Sequence, residues 1–248
     1  MNELPYVAIS VEQTSNRYKG HRLFSVFSIV ASVVVFAGFA RTFFLRVLFA
    51  PRALPLYLYV HGLLFTSWFI LFFIQVRLIA AQRADLHRRL GVLTAGVGGL
   101  AIPVALGVAI HAGKRVYQLH AKPFSLEACP LALDLGACLA FTVFVATALF
   151  LRRRTDSHKR LMLLASCSIL LPAFGRTPTL LQAYGLWGLV GFTEIVPVAF
   201  IVYDTVRHRR LHPTFGWGGL GVVASWPTFL LIGSTHYWLR FTEWLVRV

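Results

Sequence analysis

Seven apolar segments separated by short basic clusters decide what this chain can fold into: Leu23 to Ala40, Leu56 to Ala81, Leu90 to His111, Leu131 to Leu151, Leu161 to Gly175, Tyr184 to Tyr203 and Phe215 to Ile232. A hydrocarbon core about 30 Å thick takes about 20 helical residues to cross, and six of the segments come close to that length. The fifth has only 15 residues before Arg176 and contains Pro172. It is expected to be a kinked or broken span that regains length through Leu180 and Leu181. With 57% apolar residues, 14% aromatics and a mean hydropathy of +0.69 over 248 residues, the composition is too oily for a soluble domain. The expected fold is an all-α, polytopic transmembrane bundle of about seven spans. Residues 23–248 would form one membrane domain behind a tail of residues 1–22, which is polar, carries two glutamates and does not read as a signal peptide.

The formal net charge of +15 therefore calls for a membrane explanation first. Basic residues sit in clusters between apolar runs instead of along a stripe interleaved with aromatics, so nucleic-acid binding is set aside. If the N-terminus is cytoplasmic, 15 of the 24 lysines and arginines fall on the inner side and 9 on the outer. The positive-inside rule then places the N-terminus in the cytoplasm and the C-terminus outside. The seventh segment has no lysine for a Schiff base, which excludes a retinal protein. Cys129, Cys138 and Cys167 show no metal-ligand spacing, and Cys129 and Cys138 would be roughly 13 Å apart on one helix, too far for a disulfide.

A short motif, His-[Arg/Lys]-Arg-Leu, occurs three times, in "LHRRLG" (from Leu86), "SHKRLM" (from Ser157) and "RHRRLH" (from Arg207). The first two belong to a longer match, "RADLHRRLGVL" with "RTDSHKRLMLL", 71 residues apart and without a gap, which implies a repeated helical hairpin. The third, "DTVRHRRLHP", has its aspartate four residues before the histidine instead of two. All three copies are expected on the cytoplasmic face, each starting an outward-going helix. Asp85 and Asp156 stand where an N-cap would, and Arg88, Arg89, Lys159, Arg160, Arg209 and Arg210 are placed to meet anionic lipid headgroups. A metal held by His87, His158 and His208 is disfavoured by those same cations.

Polar groups inside spans are costly and therefore informative. His61, Trp68 and Gln75 are spaced by seven and share one helix face. Asp134 lies in the outer part of the fourth span, Glu194 lies well inside the sixth, His111 ends the third and Arg176 ends the fifth. His61, His111, Asp134, Arg176 and Glu194 could form an outer-half cluster; interhelical hydrogen bonding is the plainer role for His61 and Gln75. Trp187, Trp217 and Trp238 near span ends suit interface anchors.

The stretch "VHGLLFTSWFILFFIQVRLIAAQRADLHRRLG", Val60 to Gly91, resembles a family of bacterial predicted multi-pass membrane proteins of unknown function, as do "SHKRLMLLA", "FGRTP" and the "HP" after the sixth span. That resemblance covers Tyr57 to Pro213 and implies a location in the bacterial inner membrane. The histidine-bearing hairpins are more distantly similar to membrane cytochromes of the b type, which implies haem b, with His61 and His111 for an outer haem and His87 and His158 for an inner one. His87 and His111 would be roughly 36 Å apart on the third helix, nearer its tips than haem ligands usually lie. Three functions follow as expectations: haem-b electron transfer or reduction, a proton- or cation-coupled transport or binding protein using Asp134 and Glu194, and an accessory membrane subunit without catalysis.

Overall fold

The computed structural model describes residues 23–49, 53–118, 129–176 and 178–247, so the tail of residues 1–22 lies outside the described residues. No strand occurs among them, and six helices are long and apolar enough to cross a membrane. α1 (Leu23–Phe44) ends in a π-helical turn and leads to the short α2 (Arg46–Phe49). α3 (Leu56–Ala80) and α4 (Ala84–Gln118) form the first hairpin, and α5 (Cys129–Phe150) and α6 (Thr155–Cys167) form the second. After α7 (Leu171–Gly175) come α8 (Pro178–His208), α9 (Pro213–Gly233) and the terminal α10 (His236–Arg247).

The repeat in sequence is a repeat in structure. In the first turn the His87 amide donates to the Arg83 carbonyl at 3.0 Å; in the second the His158 amide donates to the Arg154 carbonyl at 2.9 Å. α4 begins six residues earlier than its apolar run, because "ADLHRR" is helical despite its charge. Asp85 and Asp156 are not N-caps. Each lies inside the first turn of its helix, where a carboxylate still complements the dipole, and the cap position of α6 is Arg154. The third motif copy departs further: His208 is the last residue of α8, Arg209 takes a left-handed φ of 52°, and residues 209–212 form a loop before α9. That copy therefore ends a helix instead of starting one.

The fifth apolar segment is broken. α6 stops at Cys167, Ser168 to Leu170 form the break, and Pro172 stands in the first turn of α7, where its missing N–H does no harm. Leu180 and Leu181 do not extend this segment; they fall in the first turns of α8. At one end His158 lies against His87, and at the other the Arg176 charge acts on His61 near the start of α3 and on Asp134 near the start of α5. The two short helices together thus cover the depth that each long helix covers alone. Among the described residues, six helices are long and apolar enough to cross a membrane, and α6 and α7 lie beside them as a broken segment.

Packing centres on α3, α5, α6 and α9. Trp68, Phe141, Phe144, Leu161, Leu164, Phe215 and Val222 form one buried cluster. A smaller one joins Leu133, Leu171, Leu189, Val190, Trp226 and Leu230. α1 crosses α7 so closely that a Cβ on Gly38 would stand 2.2 Å from the Ala173 carbonyl oxygen, so only glycine fits there. Gly185, at φ 62°, bends the chain between the first turns of α8 and its membrane span, Trp187–His208. α10 packs on α4 and α9 and turns Tyr237, Phe241 and Trp244 outward at i, i+4 and i+7, as an interfacial helix does.

Candidate functional site

Two polar regions stand out, one at each face. At the motif face, all three copies meet. The imidazole rings of His87 and His158 lie 6.5 Å apart, nearly perpendicular. The Nδ1–H of His158 donates to the Ala148 carbonyl at 2.8 Å, so in the neutral ring Nε2 carries the free lone pair. His208 makes the equivalent bond to the Asp204 carbonyl, also 2.8 Å. His212 caps α9, its Nδ1 accepting from the Thr214 amide at 3.2 Å.

Beneath these rings, Arg160 of the second copy reaches Asp204 of the third. The guanidinium Nη2 donates to both carboxylate oxygens at 2.9 and 2.8 Å, and Nε donates at 3.1 Å. Arg160 is 3% exposed and Asp204 2%. Arg160 also donates to the Asp156 carbonyl and lies over the Phe215 ring. Arg160 is therefore not a headgroup contact, which corrects the sequence expectation; the buried carboxylate competes for it. Arg88, Arg89, Arg209 and Arg210 are exposed, and Lys159 pairs with Asp156 while lying over Phe24. The odd spacing of the third copy now has a cause: an aspartate four residues before His208 faces α6.

The α3 stripe faces the bundle. The Trp68 indole N–H donates to Ser166 Oγ on α6 at 3.2 Å, and Gln75 Nε2 donates to Thr94 Oγ1 on α4 at 3.2 Å. His61, at the head of the stripe, packs against Phe65 and leaves its buried Nδ1 without a partner.

In the opposite half, the positive charge of Arg176 acts on both His61 and Asp134. Its guanidinium lies 4.3 Å over Phe39 and donates to the Pro172 carbonyl at 3.1 Å. Cys138 stands one turn from Asp134 on α5. His111 faces elsewhere: its Nδ1–H donates to its own helix at Gly107, and its ring lies against Tyr57 at 5.1 Å. Glu194 sits on α8, roughly 10 Å inside the Trp187 end of its span at 1.5 Å per residue. Both of its carboxylate oxygens are buried and have no hydrogen-bond partner. Among the described residues no group of three or more histidine, cysteine or acidic side chains is arranged to hold a metal ion.

Compared with known proteins, the chain matches no family model, no curated protein and no solved structure. The sequence did not signal two features. The Arg160–Asp204 pair joins residues 44 apart, and only the shifted aspartate of the third motif hinted at it. The N-cap role of His212 could have been read from "HPT", since a proline at the first helical position favours a cap just before it.

Proposed function

We propose that this multi-pass membrane protein carries protons or a small cation through the half of the bundle that holds His61, Asp134, Arg176 and Glu194. Glu194 supplies the observation that carries this reading. A carboxyl group buried within a span, with neither oxygen bonded, has to hold a proton or attract a cation, because an unpaired charge there is expensive. Asp134, near the start of α5 in the same half, lies within electrostatic reach of Arg176, though the two form no direct ion pair. His61, on α3 in the same half, has a buried ring nitrogen without a hydrogen-bond partner. In proteoliposomes, Glu194→Gln is expected to abolish proton or cation flux and Asp134→Asn to reduce it. Unchanged flux in Glu194→Gln would overturn the proposal.

A second reading, electron transfer through haem b, draws on the motif face. Metal–imidazole bonds of about 2 Å put the centres of two rings sharing one iron about 6 Å apart, close to the separation of His87 and His158. The Ala148 carbonyl holds His158 in the tautomer that leaves Nε2 free to ligate. His87 and His158 would hold such a haem, which supplies one-electron chemistry when bound. The outer pair fits less well, since His111 and His61 each pack on an aromatic neighbour. A Soret band in the purified protein that is lost in His158→Ala would support this reading, whereas a flat spectrum before and after dithionite would remove it. If both tests fail, an accessory role is left. The basic motif face is the one we assign to the cytoplasmic side of a bacterial inner membrane, with exposed Arg88, Arg89, Arg209 and Arg210 at anionic headgroups.

A further inference from the structure

The helix that carries Glu194 meets α9 in a definite register. Ile201 of α8 packs on Gly219 of α9, and Val190 shares a buried cluster with Leu230, so the same eleven-residue step on both helices matches them antiparallel. The ends of the two spans, Trp187 and Gly233, obey the same match. Glu194 then stands level with Trp226. Each also lies on the contact stripe of its helix: Val190, Glu194, Pro197 and Ile201 follow at steps of four, three and four on α8, and Gly219, Trp226 and Leu230 at steps of seven and four on α9. Of these residues only Glu194 and Trp226 have side chains that hydrogen-bond. An indole nitrogen can only donate, and an ionised carboxylate can only accept. Both carboxylate oxygens of Glu194 and the indole N–H of Trp226 are buried and unpartnered, and Trp226 is 2% exposed. Orphan groups of opposite kind at one depth of a bilayer are each unfavourable alone, and one bond between them satisfies both.

The backbone allows them to meet. Pro197 and Pro227 lie within one turn of the two side chains, and neither has an N–H for the carbonyl four residues before it, Thr193 on α8 and Val223 on α9. In the same register Thr193 is level with Pro227 and Val223 with Pro197, so both helices are loosened at one depth and can bend there. Resting on the relay reading above, we propose that Trp226 is the positioning residue of Glu194: its indole N–H donates to the carboxyl group and holds it at the α8–α9 contact, while the facing prolines let that bond open and close. The structure shows the open arrangement. An indole nitrogen has no lone pair to accept a proton, so Trp226 fixes the carboxyl group and does not itself relay.

The test uses the purified full chain in detergent, isotopically labelled at its tryptophan nitrogens. Each of the six tryptophans gives one indole N–H resonance, and Trp226→Phe identifies the one that belongs to Trp226. That proton is expected downfield of an indole without a hydrogen bond. It should move upfield in Glu194→Leu and largely hold its place in Glu194→Gln, which keeps an acceptor. In proteoliposomes Trp226→Phe, which keeps an aromatic ring and removes the N–H, should slow flux about tenfold, the worth of one hydrogen bond to a charged group. The proposal falls if the indole resonance ignores Glu194→Leu, or if Trp226→Phe retains full flux. The relay reading fails separately. Flux that needs Glu194 while the indole resonance ignores it keeps the relay and removes the Trp226 bond, whereas an indole resonance that follows Glu194 in a protein without flux keeps the bond and removes the relay.

Discussion

Arg160 and Asp204 are each almost wholly withdrawn from solvent and satisfy each other through a forked contact. Such a pair adds little net stability over apolar side chains of the same volume, yet losing one partner leaves a bare buried charge. Asp204→Asn or Arg160→Ala is therefore expected to cost about 3–5 kcal/mol, whereas Arg160→Met combined with Asp204→Leu should recover most of that loss. Thermal unfolding in detergent of the three variants checks this. A double variant no more stable than either single one would mean that the pair does more than balance charge. At this scale the sequence was partly legible. The spacing of His61, Trp68 and Gln75 correctly put three side chains on one face, because seven residues are close to two helical turns. Their partners, Ser166 and Thr94, were not legible, since the rotation of one helix against another is set by packing and leaves no local pattern.

The helices show where hydropathy misleads. α4 begins inside a basic motif because backbone hydrogen bonding and the first-turn aspartate favour helix there, whatever the side chains prefer as solvent. α6 and α7 divide at Ser168 to Leu170, and the short, proline-bearing apolar run had already marked that crossing as irregular. α9 depends on its first residues. His212 caps it through Nδ1, which can accept the Thr214 amide only while unprotonated. Burial first, and the charge of Arg160 next, hold His212 below its ordinary pKa of 6.5, with Lys159 adding to them and Asp156 and Asp204 opposing. The folded chain thus takes up that proton less readily than the unfolded one. Stability from this group is complete above 6.5 and is lost as pH falls below it. His212→Asn keeps a capping oxygen but cannot titrate in this range. Its unfolding midpoint should vary less between about pH 5 and 7 than that of the parent chain.

Across the described residues, six long apolar helices and the broken α6–α7 segment leave one face rich in paired and exposed cations and the other with a half-buried polar cluster. The class of fold was legible because a bilayer demands long apolar helices and little else satisfies that demand. The candidate site was less so, because His61, Asp134 and Arg176 come from three different crossings and converge only through tertiary packing. The ion pair between α6 and α8 also bears on how the chain is made. Arg160 leaves the ribosome 44 residues before Asp204, an interval of roughly two to nine seconds at ordinary rates of synthesis. For that time a short, broken, weakly apolar segment carries a cation whose carboxylate does not yet exist. The α6–α7 segment would settle in the membrane only as α8 arrives, so the two enter as one unit and a chain interrupted between them would be left with its second hairpin half inserted.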